Sequence, residues 1–438
     1  MKQFRHLFLA VLSLIIGVTT LSAQVVYYEI EEYTPTVYMV AKGKTECDNR
    51  CSEVKEHFMD THRHGFQQTE NPQFIFSSHN NRFALGIGGY VNLRTSYDFR
   101  GAMGNIDFVP YDIPMKHSWQ NKQRVMMDAS TSRLFLKAVI KSDLLGRVII
   151  YSDMDFRGGE EFTYIPRLRS AYVSFKGFTI GRDVTTFCDL EAAPTTIDFQ
   201  GPNAYNFAFN EMIRYEYSLL RNHMTIGAAA EMPAVNGTYG ENFSPIYQRV
   251  PDFIAYVGYA WGENRTSHIR ASAVIRDMYL HNNRTGENTT QLGWGIQLSG
   301  HIDIGQWVDL YMNGVYGKGI TPYIQDLAGS PYDFAYDPED PTRMQTMPMW
   351  GWQAAAQVNI LPNVLWLAGG YSEVHLEKHN GYLSDGQYRK GEYIFANAFY
   401  NLTSNLTLAV EYLHGSRKDM GGEKSSANRI SIMAQYNF

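Results

Sequence analysis

The sequence lacks any long apolar run after its N-terminus. Beyond Ala23 no stretch approaches the roughly 20 apolar residues that a membrane-spanning helix needs, and the mean hydropathy of the chain is -0.31. These absences exclude a helical membrane protein. The chain also lacks a basic surplus, because its formal net charge is -6, and this argues against binding to nucleic acid.

Sequence motifs of hydrolytic enzymes are missing as well. The chain has no Gly-x-Ser-x-Gly nucleophile elbow and no His-Glu-x-x-His metal motif. Histidines that could act as a general base occur singly, at His223, His268, His301 and His375. We therefore expect no catalytic site.

The first residues have the composition of a secretory signal peptide. Lys2 and Arg5 form a positive n-region, residues 7–18 are apolar, and Leu21-Ser22-Ala23 offers a cleavage site before Gln24. No cysteine follows that site, which argues against a lipid anchor. We expect the mature chain (residues 24–438) to be exported, either as a soluble protein or as a membrane-spanning barrel.

Cysteine is scarce, with three residues in the whole chain. A zinc site at Cys47 and Cys51 would need the nearby histidines, which are His57, His62 and His64. Cys-x3-Cys with scattered histidines is a weak zinc signal, and an oxidising compartment favours a disulfide between the two cysteines. We predict no metal site and no cofactor, and we expect Cys188 to be inert.

Residues 24–81 differ from the rest of the chain, being charged and rich in histidine. Within them Cys47, Cys51, Val54 and Phe58 are spaced 4, 3 and 4 residues apart, which predicts the apolar seam of a short amphipathic helix. Two interpretations stay open for this N-terminal extension. It forms either a small coiled coil between subunits or a single helix at the base of a barrel.

Strand patterns fill the chain from Arg82 to its end. Aromatic residues make up 14% of the chain and glycines number 37, a composition that suits strands, interfacial girdles and turns. In residues 130–141, Leu134 and Leu136 face one way while Arg133 and Lys137 face the other. Such alternation over about ten residues is typical of a transmembrane β-strand with one face to lipid and one to the lumen.

About sixteen such strands can be drawn. Their ranges are 83–99, 130–141, 146–156, 165–175, 178–184, 208–219, 223–232, 250–261, 267–281, 289–303, 306–317, 348–360, 364–377, 391–402, 406–416 and 426–438. Short turns alternate with long polar loops, as on the periplasmic and extracellular sides of a bacterial outer-membrane barrel. The predicted fold class is all-β, an antiparallel transmembrane β-barrel over residues 82–438 with a short N-terminal helical extension.

The last strand places apolar residues at alternate positions and ends on an aromatic residue. Ile430, Ile432, Ala434, Tyr436 and Phe438 share one face. The pattern resembles the signal by which barrel-insertion machinery recognises outer-membrane proteins. Tyr436 and Phe438 are its candidate residues.

The inward faces of the predicted strands carry more basic than acidic residues in the first two thirds of the barrel. The predicted pore-lining residues are Arg133, Lys137, Arg147, Arg167, Arg169, Arg214, Arg270 and Arg276. Guanidinium groups in a narrow aqueous bore stay charged and attract anions. In the alternative interpretation, these arginines pair with loop carboxylates and merely hold a loop in place.

Residues 185–207 form the third long loop, which we call the constriction loop because we expect it to fold inward and narrow the bore. Its candidate residues are Asp189, Glu191, Asp198, Phe199, Gly201 and Pro202. Carboxylates here, opposite the basic wall, would set a transverse field that orients anions or zwitterions.

Several of these segments carry a family likeness. The runs RFALGIGGYVNLRTSYDF, IPRLRSAYVSFKGFTIGRDVTTFCDLEAAPTTIDFQGP and EMIRYEY resemble the opening strand, inward-loop region and next strand of the DcaP-like trimeric porins. The family pattern falls on Arg167, Arg169, Ala171 and Tyr172, on Gly181, and on Asp198, Phe199, Gly201 and Pro202. The likeness is specific across about 165–216.

The resemblance implies a sixteen-stranded outer-membrane porin that assembles as a homotrimer and passes small, often anionic, solutes by diffusion. The partners expected are outer-membrane lipid, other copies of the chain, small anionic or zwitterionic solutes and the insertion machinery. The family's periplasmic coiled coil is implied for the N-terminal extension. The alternatives are a non-conducting barrel that acts as an adhesin or surface receptor, and an outer-membrane hydrolase.

Overall fold

The computed structural model describes residues 36–39, 64–77, 82–262, 265–337, 339–377 and 384–438. The predicted signal peptide and the predicted helical seam from Cys47 to Phe58 lie outside these residues. No helix in the described ranges is long and apolar enough to span a membrane. Short 3-10 helices occupy Pro110–Asp112, Trp119–Asn121, Leu220–Asn222, Thr321–Tyr323 and Gln325–Leu327.

Strands make up most of the described chain. In chain order they are β1 (Thr36–Met39), β2 (Phe74–Ser77), β3 (Phe83–Arg100), β4 (Arg124–Asp128), β5 (Arg133–Ser142), β6 (Gly146–Asp155), β7 (Arg167–Phe175), β8 (Phe178–Val184), β9 (Phe209–Leu219), β10 (Met224–Glu231), β11 (Phe243–Pro245), β12 (Asp252–Trp261), β13 (Ser267–Asn282), β14 (Glu287–Ile304), β15 (Val308–Lys318), β16 (Phe334–Tyr336), β17 (Met344–Thr346), β18 (Pro348–Leu361), β19 (Leu365–Leu376), β20 (Tyr388–Asn401), β21 (Leu406–Asp419) and β22 (Lys424–Asn437).

Sixteen of these strands form a closed antiparallel barrel: β3, β5 to β10, β12 to β15 and β18 to β22. Each pairs with the next, and β22 closes the sheet against β3, with Ile430 opposite Tyr97 and Tyr436 opposite Val91. Every predicted strand range overlaps one strand of this wall. The predicted fold class is therefore confirmed.

Shorter strands extend this wall without adding to its circumference. β4 pairs with the C-terminal part of β3, after the residues that pair with β5. β11 pairs with the last residues of β13, after those that pair with β12. β2 pairs with the first residues of β3, and β1 pairs with β2. These short strands were not predicted, because each is too brief to show a clear alternation.

Alternation of side chains gives the barrel its two faces, as β13 illustrates. Ile269 and Ile275 are exposed on the lipid side, whereas Val274 and Arg276 on the opposite face are buried. Large apolar side chains are exposed on the outward face of most wall strands, as expected for a surface whose solvent is lipid.

Loops that fold into the barrel bury a second set of apolar side chains inside it. Phe108, from residues 101–123, packs with Tyr393 and Leu413 of the wall. Leu327, from the long connection after β15, packs in a cluster with Phe187 of the constriction loop. The extracellular half of the lumen is therefore narrowed by packed protein as well as by the constriction loop.

Residues 65–69, just before β2, also lie against the inside of the barrel. Phe66 is fully buried, and its ring meets Tyr205 and Phe207 edge-on at 5.2 Å. Its backbone N–H donates to the Leu190 carbonyl at 2.6 Å. The sequence alone assigned this segment to the N-terminal extension and gave no sign of contact with the loop.

The backbones of β7 and β8 approach so closely at position 181 that only glycine fits there. It has φ +136°, and a Cβ there would lie 2.2 Å from the Ala171 carbonyl oxygen. We expect Gly181→Ala to destabilise the barrel by about 1–3 kcal/mol. Gly314→Ala is the control, because a Cβ at that outward position meets nothing within 4 Å. The measurement is the temperature at which the folded band is lost on a detergent gel. Equal temperatures for the two variants would contradict the prediction.

Candidate functional site: the constriction loop and the charged lumen

The constriction loop leaves the wall at the end of β8 and returns at the start of β9. Its ends are joined by the Thr185 N–H, which donates to the Ala208 carbonyl at 2.9 Å. Two prolines, Pro194 and Pro202, and several small residues prevent regular structure between these ends. Its backbone groups must therefore find partners on the surrounding wall.

Polar side chains of several wall strands supply those partners. Glu231 of β10 accepts the Thr186 N–H at 2.6 Å. Side-chain amides on three further strands donate to loop carbonyls: Gln297 to Phe187 at 3.1 Å, Gln353 to Ala192 at 2.6 Å and Asn397 to Thr195 at 3.1 Å. Because these four strands, β10, β14, β18 and β20, are distributed around the barrel, the loop spans the bore.

The far end of the loop is held by two buried carboxylates. Glu411 of β21 accepts the N–H groups of Ile197 at 3.0 Å and Asp198 at 2.8 Å. Asp198 itself accepts from the Phe108 N–H at 2.9 Å and the Tyr393 hydroxyl at 3.0 Å. Burial, together with the nearby charge of Asp107, raises the pKa of Asp198 to about 6.

The returning part of the loop meets the connection after β15. The Asn203 amide donates to Asp326 at 3.2 Å, and the Tyr388 hydroxyl donates to the same carboxyl at 2.5 Å. Burial raises the pKa of Asp326 to about 6. The Ala204 N–H donates to the Ser372 hydroxyl, and the Asn313 side-chain amide donates to the Ala204 carbonyl. The two loops therefore support each other across the bore.

Asp189 connects the constriction loop to the wall strands β13 and β14, through His268 and Ser299. His268 lies 2.9 Å from this carboxyl and the Ser299 hydroxyl donates to it at 2.6 Å. Burial opposes ionisation, but the bond and charge of His268 hold the pKa of Asp189 below its ordinary value. Glu191, half exposed, lies 3.6 Å from the other ring nitrogen of His268.

The remaining predicted loop residues are packed rather than exposed. Phe199 lies beneath the Arg169 guanidinium, whose carbon is 5.0 Å from the ring centre. Gly201 has φ +69°, and a Cβ there would lie 2.4 Å from the Phe66 ring. Pro202 is buried beside it. These residues shape the loop, whereas Glu191 faces open water.

Cys188, also in the loop, is the only free cysteine among the described residues. It is buried, and its thiol donates to the Tyr205 hydroxyl at 3.4 Å. Burial raises the pKa of this thiol to about 12. The group is therefore protonated at neutral pH.

The structure places all eight predicted pore-lining residues on inward faces of the wall. Five of them are at most 6% exposed: Arg133, Lys137, Arg169, Arg214 and Arg276. Two examples show how such charges are compensated. Arg214 donates to Asp183 at 2.9 Å, and Arg276 contacts both Asp252 and Asp333 at 3.0 Å. These side chains contact protein rather than open water.

The other three predicted residues are accessible to solvent. Arg147 is exposed at the periplasmic end of β6. Arg167 is half-buried and donates to Asp155 at 2.5 Å. Arg270 is half-buried, with its guanidinium carbon 3.6 Å from the centre of the Tyr256 ring.

Below the constriction loop the lumen opens into a water-accessible vestibule. Two cavities, of about 430 and 820 Å³, share His64, Glu191 and Arg265 at their border. Arg270, His268 and Asp189 line the smaller one. Groups of both charges therefore face the same water on the periplasmic side of the loop.

The polar wall residues that bind the loop backbone were missed in the sequence. They include Glu231, Gln297, Asn313, Gln353, Asn397 and Glu411. A signal was present, since each occupies an inward position between outward apolar neighbours. Alternation does not tell which inward polar side chain meets a distant loop, and both a carboxylate and an uncharged amide can bind backbone groups.

The candidate insertion residues lie at the closing seam of the barrel. Tyr436 is 51% exposed on the lipid side. The backbone of Phe438 exchanges two hydrogen bonds of 3.0 Å with Gly89. The last residue thus completes the pairing of β22 with β3.

The raised pKa of Asp198 predicts a pH-dependent stability. Between the ordinary pKa of 3.8 and the raised pKa of about 6, Asp198 holds a proton in the folded state that it has lost in the unfolded state. Its contribution to the free energy of unfolding is therefore full below pH 3.8 and is lost as the pH rises through 6. Asp198→Asn should therefore raise the unfolding temperature, relative to wild type, more at pH 7 than at pH 4. Exposed Asp143→Asn should show no such difference, and an equal response of both variants would contradict the assignment.

Comparisons with known proteins agree with this geometry. A model of the DcaP outer membrane protein family matches residues 66–324. The outer membrane channel DcaP of Acinetobacter baumannii superposes with a TM-score of 0.71 at 20% identity, over 83% of this chain and 99% of that one. No protein of curated function matches the chain at a significant level.

More distant structures share the barrel fold. The loop L8 deletion mutant of the Vibrio cholerae outer membrane protein OmpT has a TM-score of 0.52 at 13% identity, over 82% of this chain and 100% of its own. The anion-selective porin from Comamonas acidovorans has a TM-score of 0.52 at 12% identity, over 81% and 100%. This chain belongs to the DcaP outer membrane protein family, and it is an outer-membrane porin.

Proposed function

We propose that the porin passes small anionic or zwitterionic solutes by passive diffusion between the constriction loop and the wall from β9 to β13. The observation that carries this proposal is the position of Arg270. Its guanidinium carbon lies 3.6 Å from the centre of the Tyr256 ring, and it lines the vestibule together with the carboxylates of Asp189 and Glu191. A solute at this point meets positive charge on the wall and negative charge on the loop.

Such opposed charges orient a solute that carries both signs and slow one that cannot align. Arg270 contacts the Tyr256 ring and donates hydrogen bonds to the Thr186 carbonyl and the Ser272 hydroxyl. Its direction is therefore fixed although it is accessible to water. A fixed guanidinium in a confined bore acts on passing ions more strongly than a mobile one in free solvent.

A homotrimer is the assembly that the strand lengths favour. β8 has 7 residues and β10 has 8, whereas β13 has 16 and β14 has 18. Seven residues at ~3.3 Å each, tilted by about 40°, rise only about 18 Å, less than the apolar band of about 25 Å. Other copies of the chain would cover the short wall from β6 to β10.

A charged pair on the outer face of this short wall also favours a subunit interface there. Arg182 donates to Glu211 at 2.8 Å, and both side chains face outward. Charges on a lipid-facing surface are costly near the bilayer centre, whereas a subunit interface accommodates such a pair.

Packed loops favour one alternative, a non-conducting barrel that serves as an adhesin or surface receptor. Phe108, Leu327 and Phe187 fill part of the extracellular lumen, and a fully blocked bore would leave only the surface loops to act. Hydrolase chemistry has less support. Ser299 and His268 both bind Asp189, so the carboxylate stands where a base would have to meet the nucleophile. We propose that the chain is not an enzyme.

We retain the predicted division of the chain as part of this proposal. Residues 1–23 would be removed as a signal peptide. Residues 24–81 would form a periplasmic extension whose residues 65–69 lie against the inside of the barrel, and residues 82–438 would form the barrel in outer-membrane lipid. The barrel-insertion machinery would recognise the final strand through Tyr436 and Phe438.

Single-channel recording in a planar bilayer under a salt gradient tests the channel. We expect conductance steps in threes and a reversal potential on the anion side. Arg270→Ala should move that potential toward the cation side, whereas Arg82→Ala, at an exposed periplasmic pair with Asp143, should leave it unchanged. Silence from a folded barrel would instead support the non-conducting alternative, and an unchanged potential for Arg270→Ala would remove its proposed role.

Matched polar substitutions on the two walls test the trimer. Ile213 on β9 and Leu292 on β14 are 57% and 64% exposed on the outer face. Ile213→Asn should yield monomers by light scattering in detergent, because it places an amide in the proposed interface. Leu292→Asn should remain trimeric. Dissociation of the second variant alone would place the interface on the long wall.

A further inference from the structure

The larger of the two vestibule cavities has a different lining from the smaller one. Its volume is about 820 Å³, which is within the usual range for sites that bind small molecules. Ala193 and Thr195 of the constriction loop line part of it, and inward side chains of β14, β15, β18, β19 and β20 line much of the remainder. Arg214 and Arg270, which line the smaller cavity, are absent from this lining.

Carboxylates outnumber guanidinium groups in this larger cavity. Asp303 and Asp309 lie directly opposite each other on β14 and β15, and Glu191 lies at the border with the smaller cavity. Arg265, at the same border, is the only arginine among the described residues of the lining, which contain no lysine. An anionic solute is therefore disfavoured here, in contrast to the surroundings of Arg270.

Side-chain amides lie next to these carboxylates. Gln357 on β18 is opposite Asp309, and its amide donates to the Asn359 side chain at 2.9 Å. Asn359 donates to Asp309 at 3.0 Å, and His301 lies 2.9 Å from the same carboxylate. The carboxylate of Asp303 accepts no hydrogen bond from the residues that the structure describes. The wall thus holds donors and acceptors side by side in fixed positions, with part of their capacity unused.

Two aromatic rings also line the cavity, and each is held by a second ring. Tyr311 on β15 stacks on His301, with the ring centres 4.8 Å apart. Trp366 is opposite Asn359 in the register of β19 with β18. Its ring lies parallel to that of Phe399 at 5.2 Å, and Phe399 is not part of the lining. The cavity therefore combines a hydrogen-bonding wall with rigid aromatic surfaces.

We propose that this cavity binds a neutral saccharide. A sugar hydroxyl both donates and accepts, so it matches a wall on which carboxylates accept and side-chain amides donate. The C–H groups on one face of a sugar ring carry a small positive charge and pack against the negative face of an aromatic ring. An amine would bind the carboxylates but would leave the amide donors of Gln357 and Asn359 unused.

This inference goes beyond the anionic and zwitterionic solutes proposed above. The passage proposed for those solutes depends on Arg270, whereas Asp303, Gln357 and Trp366 do not line the cavity in which Arg270 lies. Saccharide binding can therefore be present or absent whatever the selectivity of the channel for anions.

Binding of neutral disaccharides to the purified full chain tests the proposal. The probes are maltose, cellobiose, lactose and sucrose, titrated by isothermal calorimetry in an amine-oxide detergent, because detergents with a sugar head group would compete. We expect saturable binding of at least one of them. A crystal soaked with that sugar should show it in contact with Trp366 and Asp303.

Variants assign the binding to this cavity. Trp366→Leu should weaken the affinity about tenfold through loss of the ring, and Asp303→Asn should weaken it several-fold through loss of a charged acceptor. Trp294→Leu is the matched control, because Trp294 lies opposite the lipid-facing Ile275 and should bind as wild type does. Arg270→Ala should also keep saccharide binding, even where it changes the reversal potential.

Three outcomes would overturn the proposal. The first is no saturable binding of any of the four sugars. The second is binding that Trp366→Leu and Trp294→Leu weaken equally, and the third is binding of 1,4-diaminobutane in place of the sugars. If Trp366→Leu does not fold, Asp303→Asn and the soaked crystal of the wild type decide between these results.

Discussion

The bore of this porin depends on one constraint, namely that a loop without regular structure must satisfy its backbone polar groups inside a closed sheet. Water is largely excluded there, so each unpaired N–H or C=O group would be costly. Gln297, Gln353 and Asn397 bind loop carbonyls, and Glu231 and Glu411 bind loop N–H groups. The loop is thus fixed by the barrel that it narrows.

The strands could be predicted from the sequence because alternation is local. The range 178–184 was predicted from a few neighbouring residues and is the range of β8. The surroundings of the arginines could not be predicted in this way. Arg276 is compensated by Asp333, 57 residues later, and only the folding of a distant loop brings the two together. The contact of Phe66 with Tyr205 joins residues that are still farther apart in the sequence.

Arginines inside the barrel fall into two groups with different physical roles. Arg214 and Arg276 are buried against carboxylates, where loss of either partner would leave an unpaired charge in a low-dielectric site. Arg270 is half-buried, contacts the Tyr256 ring and lines the vestibule. A count of basic residues on the wall treats both groups alike, whereas accessibility separates buried, paired charges from those that face water.

The burial of Phe66 in the barrel links two segments that are far apart in the sequence. Its N–H is bound to the Leu190 carbonyl in the constriction loop, while the chain before it continues toward the N-terminus. Phe66 cannot leave this position without breaking that hydrogen bond and its ring contacts with Tyr205 and Phe207. The position of the constriction loop is therefore coupled to the residues that precede the barrel.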